Sequence, residues 1–181
     1  MLKVIIIHYL QGPPMIRKVI TADFEEMLTI INDSATAYKG VIPDDCWHDP
    51  YMTRSYLKDE IGSGVNFYGY ETNGILQGIM GIQDVGDITL IRHAYVRTKA
   101  RNSGIGSALM EYLLPMAENP VLIGTWADAV WAVRFYQKHG FAVVSHEEKE
   151  YLLRKYWNIP DRQIATSVVL AHEQYFTEKH Q

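Results

Sequence analysis

Arg101-Asn102-Ser103-Gly104-Ile105-Gly106 separates two stretches of opposite character. Before it, Ile88 to Val96 is an apolar, strand-like run. After it, Ser107 to Leu114 has the apolar spacing of a helix. A strand that empties through a glycine-bearing turn into a helix start makes an anion site. The first N–H groups of a helix have no internal acceptor, and the helix dipole favours negative charge there. Two glycines remove the Cβ atoms that would hold a phosphate away from the backbone. The turn therefore asks for a phosphate-bearing ligand.

The flanking pattern gives the architecture. Ile16 to Ile20 reads as a short strand, and Thr21-Ala22-Asp23 caps a helix whose stripe is Met27, Leu28, Ile30 and Ile31. A loop spans Tyr38 to Asp45. A second helix is expected over Thr53 to Ile61, with Tyr56 and Leu57 facing inward, ended by Gly62-Ser63-Gly64. Val65 to Glu71, Leu76 to Val85 and Ile88 to Val96 are strands joined at Asn73-Gly74 and Gly86-Asp87, an antiparallel meander. Beyond the glycine turn the order becomes βαβαβ: strand Val121 to Trp126, helix Val130 to Lys138, C-cap Gly140 and strand Phe141 to Ser145. Pro115 should end or kink the preceding helix near Leu114. Lys149 to Trp157 is read as helix and Ala165 to Ala171 as the last strand.

Composition narrows the class. The 181 residues suit one domain with a real core, at 48% hydrophobic and 21% charged content. A net charge of -4 argues against nucleic acid as a partner. No apolar run reaches the roughly 18 residues of a membrane span. One cysteine, Cys46, excludes an internal disulfide and suits a reducing, cytoplasmic setting. The domain is expected to begin near Met15, with residues 1–14 as an extension, so that residues 15–181 form the domain. The extension and the last strand leave room for a homodimer.

Three phosphate ligands compete. A P-loop needs lysine and then serine or threonine after the second glycine, but Ser107-Ala108 stand there. A dinucleotide fingerprint needs glycine or alanine at position 109, which is Leu109, and a strand that opens a parallel sheet rather than closing a meander. The third is an acyl-coenzyme A site.

Here the chain resembles the GCN5-related N-acetyltransferases (GNAT). The resemblance rests on Tyr95-Val96 at a strand end followed by Arg101-x-x-Gly104-x-Gly106 and a helix. Ala132-x-x-Phe135-Tyr136-x-Lys138-x-Gly140-Phe141 supports it. It covers roughly Met15 to Val144 and the final strand. It implies a mixed α/β fold of the acyl-CoA N-acyltransferase type, with a mostly antiparallel central sheet that is splayed at the coenzyme site and flanked by helices. It implies acetyl-CoA as co-substrate, no metal, and transfer to a primary amine of a small molecule or peptide by direct attack in a ternary complex. The pantetheine arm would bond to Ala94, Tyr95 and Val96. The pyrophosphate would sit on Asn102, Ser103, Gly104, Ile105, Gly106 and Ser107. Arg101, with Arg97 and Lys99, would neutralise phosphate.

The resemblance also implies that Tyr136 protonates the departing sulfur, since a phenol of pKa about 10 keeps its proton at neutral pH. Tyr136 as a core aromatic is the structural alternative. Many relatives place a glutamate base on the strand after the signature helix, but the nearest position here is Gly124. An asparagine that often follows is replaced by Ala129. His93 is the best remaining ionisable residue for a base, with Asp84, Asp87 or a water chain as alternatives and a core histidine as the structural reading. The missing glutamate keeps a second reading open, a non-catalytic acyl-CoA-binding sensor or subunit. Asp44-Asp45-Cys46-Trp47-His48-Asp49 falls where this family borders its acceptor pocket, and matches no standard metal-ligand spacing.

Overall fold

The computed structural model describes residues 13–178. Most of the expected extension, residues 1–12, lies outside the described residues. The described chain forms a seven-stranded sheet: β1 (Met15–Lys18), β2 (Asn66–Thr72), β3 (Ile75–Val85), β4 (Ile88–Val96), β5 (Val121–Trp126), β6 (Phe141–Val143) and β7 (Ser167–His172), in the order β1-β2-β3-β4-β5-β7-β6. β1 to β4 are an antiparallel meander. Its turns use Asn73 and Gly74, both at positive φ, and Gly86 at φ 62°.

Among the described residues, seven α-helices flank the sheet: α1 (Phe24–Ala35), α2 (Arg54–Gly62), α3 (Ile105–Leu113), α4 (Val130–Lys138), α5 (His146–Tyr156), α6 (Asp161–Ala165) and α7 (Glu173–Glu178). The period-two alternation of the strands divides the core. Met80, Ile82, Ile91, Val121 and Ile123 pack with Leu109, Met110 and Leu113 of α3 and Ala132 and Tyr136 of α4. Phe67, Ile79 and Tyr95 pack with Met27, Ile30 and Ile31 of α1 and Leu57 of α2. Leu90, Leu122 and Val169 pack with Leu152 and Leu153 of α5. Apolar positions three and four apart thus place each helix on one face of the sheet.

α3 ends at Leu113, and Leu114–Met116 tightens into a 3₁₀ turn around Pro115, as the proline requires. The βαβαβ order needs a correction. β4, α3 and β5 form a parallel crossover, but β5 and β6 are not neighbours. β7 lies between them, antiparallel to both. The last strand is therefore internal and offers no free edge to a second copy. Tyr56, expected to face inward, is 43% exposed, while Leu57 beside it is fully buried. α7 after the last strand has no counterpart in the sequence reading. None of the described helices is long and apolar enough to cross a membrane.

The entry to α1 shows how a short polar segment is fixed. Asp23 accepts from the Ile20 N–H at 2.8 Å and takes a two-pronged contact from Arg17 at 2.7 and 3.0 Å. Arg17 also donates to Glu71 of β2. The bonds from Arg17 and Ile20 hold the Asp23 carboxyl below its ordinary value. Its stabilisation is present above the unfolded carboxyl pKa of about 3.9 and is lost as pH falls through the lower folded value. Asp23→Asn should cost about 1–3 kcal/mol near pH 7 in urea denaturation. The gap from wild type should narrow below about pH 4. An unchanged gap at pH 3 would contradict this account.

Candidate active site

β4 and β5 pair only through Thr89–Val121 and Leu90–Leu122. Beyond Leu90 they part: β4 stays with β3, and β5 stays with β7. The edge of β4 from Ile91 to Val96 that faces β5 therefore has no strand partner. Two cavities open along this split, and both are lined by Tyr38, Ala94, Tyr95 and Tyr136.

The first cavity, about 770 Å³, runs along the glycine turn. Ala94, Tyr95, Val96, Arg101, Asn102, Gly104, Ile105, Gly106 and Ser107 line it. Ser103 does not; its hydroxyl donates to the Ala100 carbonyl. Asn102 and Gly104 take φ of 61° and 84°, and a Cβ on Gly104 would meet nothing within 4 Å. The Gly104 carbonyl accepts the bond from Ala108 that opens α3. The N–H groups of Ile105, Gly106 and Ser107 thus have no acceptor within the helix. Gly106 serves packing instead. A Cβ there would stand 3.3 Å from the Phe135 ring, so its bareness lets α3 and α4 close together.

The basic cluster divides into separate roles. Arg101 lines the cavity and donates to the Ser34 carbonyl at the end of α1. Arg97 does not line it. Its guanidinium donates to the Leu76 carbonyl at 2.7 Å and to Glu26 at 2.8 Å, so it ties β3 to α1 instead of facing a phosphate. Lys99 is exposed and also outside the lining. Lys138, at the end of α4, lines the cavity, although the sequence reading used it only as part of a motif.

The second cavity, about 520 Å³, lies on the other side of the junction. His93 lines it, on an irregularity that the sequence does not announce. Ile79 pairs with Tyr95 and Gly81 with Arg92, so His93 and Ala94 together oppose Met80 alone. This is a β-bulge on β4, with His93 at φ 52°. In a regular strand, neighbours point to opposite faces. Here Arg92 and His93 both reach Oε2 of Glu60 on α2, at 2.9 and 2.6 Å. Burial works against ionisation of Glu60, but His93 and Arg92 more than offset it and hold the carboxyl below its ordinary value. A carboxylate on Nε2 favours the tautomer with the proton on that nitrogen, which leaves Nδ1 as the acceptor. Glu60 was missed in the sequence. The available signal was its place three residues after buried Leu57, on the inward face of α2.

The alternatives to His93 are engaged elsewhere. Asp84 accepts from Thr89 Oγ1 at 2.6 Å, and Asp87 from the Tyr156 hydroxyl at 2.6 Å. Neither lines a cavity of the junction. Gly124 on β5 carries the indole of Trp157, 3.3 Å from where a Cβ would stand. Ala129, in the place of the asparagine, is fully buried. Tyr136 sits where the cavities meet, edge-on to Phe135 at 5.3 Å, with no hydrogen bond to its hydroxyl from the described residues. Burial pushes its phenol up to about 12. Asp45, Cys46 and His48 line the second cavity. Asp44 and Asp49 do not, and Trp47 packs on Tyr51 at 5.5 Å. No cluster of three or more metal-ligand side chains occurs among the described residues.

Comparison with known proteins agrees with this geometry. Residues 31–154, more than half of the chain, match the family model described as an acetyltransferase (GNAT) domain. No curated protein matches. Among solved structures, an acetyltransferase of the GNAT family from Staphylococcus aureus Mu50 is 15% identical with a TM-score of 0.67, over 88% of this chain and 98% of its own. PaiA N-acetyltransferase from Thermoplasma acidophilum, in complex with coenzyme A, is 15% identical with a TM-score of 0.67, over 89% and 99%. The ribosomal-protein-S18-alanine N-acetyltransferase of Escherichia coli is 15% identical with a TM-score of 0.63, over 88% and 93%.

The Glu60 contacts give a direct test of how the bulge is held. Glu60→Ala leaves the largely buried Arg92 guanidinium without its carboxylate, and should destabilise the protein by about 3–5 kcal/mol. Glu60→Gln, which keeps an acceptor, should cost less. Urea denaturation of both variants checks this, and equal stability of Glu60→Ala and wild type would refute it.

Proposed function

Because the chain belongs to the GNAT acetyltransferase family, we propose that it moves an acetyl group from acetyl-CoA directly onto a primary amine in a ternary complex. The observation that carries this reading is the meeting of two cavities at Tyr38, Ala94, Tyr95 and Tyr136. A donor entering from the glycine turn and an acceptor entering from the opposite side touch there. No covalent enzyme intermediate is needed. Cys46 is a poor nucleophile in any case, since burial and Asp45 push its thiol up.

The donor side fits coenzyme A by its chemistry. The open edge of β4 offers Ala94 to Val96 to the amide-bearing pantetheine arm, as an added strand would be received. The pyrophosphate would rest on the N–H groups at the start of α3, with Arg101 and Lys138 beside it. The Thermoplasma acidophilum structure in complex with coenzyme A supports the same donor here.

In the transfer, the neutral amine nitrogen attacks the thioester carbonyl. A C–N bond forms, the C–S bond breaks, and the coenzyme leaves as its thiolate. Tyr136 holds its proton at neutral pH and supplies it to the sulfur, then recovers it from water. His93, fixed by Glu60, takes the proton that the amine loses. A backbone N–H of the β4 edge near Tyr95 stabilises the oxyanion. The aromatic walls help earlier, because burial disfavours the ammonium form of the acceptor.

Tyr136→Phe should lower kcat by about a hundredfold or more while acetyl-CoA still binds by calorimetry. Unchanged turnover would remove Tyr136 from the acid role. Gly104→Trp fills the open side of the turn and strains a left-handed position, so acetyl-CoA binding should be lost. Tight binding in that variant would overturn the donor assignment.

A further inference from the structure

The second cavity carries information about the acceptor. Tyr38, Tyr51 and Tyr56 come from the segment around α1 and α2, Trp126 from β5, Tyr136 from α4 and Trp157 from the end of α5. Several of these rings hold one another in place. Trp126 Nε1 donates to the Tyr51 hydroxyl at 3.0 Å, and Tyr38 packs on Tyr51 with centroids 5.7 Å apart. Trp157 lies flush on β5 because position 124 has no side chain.

The charges around the cavity are matched. Arg92 is paired with Glu60 at 2.9 Å, and Arg162 with Asp45 at 2.8 Å. Among the described lining residues, each carboxylate and each guanidinium already has an opposite partner. His48 and His93 are the lining imidazoles, and His93 is held by Glu60. An acceptor with a second ammonium group therefore finds no free carboxylate, and one with a carboxylate finds no free guanidinium. The Asp45–Arg162 pair also joins two walls, the loop before α2 and helix α6.

We propose that the acceptor is a small arylalkyl primary amine: one amino group on a short chain that ends in an aromatic ring. This rests on the acetyl-transfer reading above. The ring packs among the tyrosines and tryptophans in offset or edge-to-face contact. The cavity volume of about 520 Å³ is that of a small-molecule site.

The test is thiol release by the whole protein at fixed acetyl-CoA, with 2-phenylethylamine, tryptamine, n-butylamine, spermidine, glutamate and an alanine-initiated peptide. The two aryl amines should exceed all others in kcat/KM by about tenfold or more. A preference for spermidine, glutamate, the peptide or butylamine would overturn the aryl assignment and leave acetyl transfer standing. Acetyl-CoA binding without turnover of any amine would overturn both. Trp157→Ala should raise KM for 2-phenylethylamine about tenfold with little effect on KM for acetyl-CoA, and Trp157→Phe should recover most of the loss. Equal KM for the amine in all three proteins would also count against the proposal.

Discussion

β4 and β5 stay hydrogen-bonded through Thr89 and Leu90 and then separate, and nearly every functional feature follows from that separation. Two adjacent parallel strands would normally close against each other, because unpaired backbone groups in a protein interior are costly. Here aromatic side chains stand in the gap. Tyr95 projects from β4 and is buried, and Trp126 ends β5 with its indole bonded to Tyr51. Tyr136 of α4 reaches the same point from outside the sheet. The opening is thus built from packed rings, and it leaves the facing edge of β4 without a strand partner.

The bulge at His93 is the second constraint, and it acts on charge. Without it, Arg92 and His93 would face opposite sides of the sheet, and one carboxylate could not serve both. With it, Glu60 neutralises a guanidinium and orients an imidazole within one buried cluster. A left-handed φ on a residue with a side chain costs free energy. The network that Arg92, His93 and Glu60 form is the local compensation visible in the structure. It also joins α2 to β4, so the wall of the second cavity is tied to the strand that divides the two cavities.

Much of this was legible in the sequence because it is written in local patterns. The bounds of β5 and α4 follow from an apolar run, a helical stripe and a closing glycine. Pro115 marks the end of α3. The turn between β4 and α3 reads from Gly104, which stands at positive φ. What the sequence does not carry is the pairing of distant residues. Arg97 looks like a phosphate ligand beside Arg101 until Glu26 and the Leu76 carbonyl are seen to hold it. Lys138 lies 37 positions from Arg101 yet lines the same cavity. The insertion of β7 between β5 and β6 breaks the simple βαβαβ order, and no local signal on β7 specifies that place. The bulge is equally silent, since His93 and Ala94 have nothing of the glycine signature that left-handed positions usually show.

Position 124 shows how one missing side chain redirects a site. Any side chain there would stand against the Trp157 ring. A side chain at that point of β5 would require the indole resting on the same backbone to shift. The chain has the indole, which gives the second cavity an aromatic wall. His93, bulged out of β4 and fixed by Glu60, lines the same cavity and is aimed by a carboxylate that stays beneath it. The bare backbone of Gly124 thus admits an indole on one wall of the cavity, and the bulge at His93 brings an imidazole and its carboxylate to another.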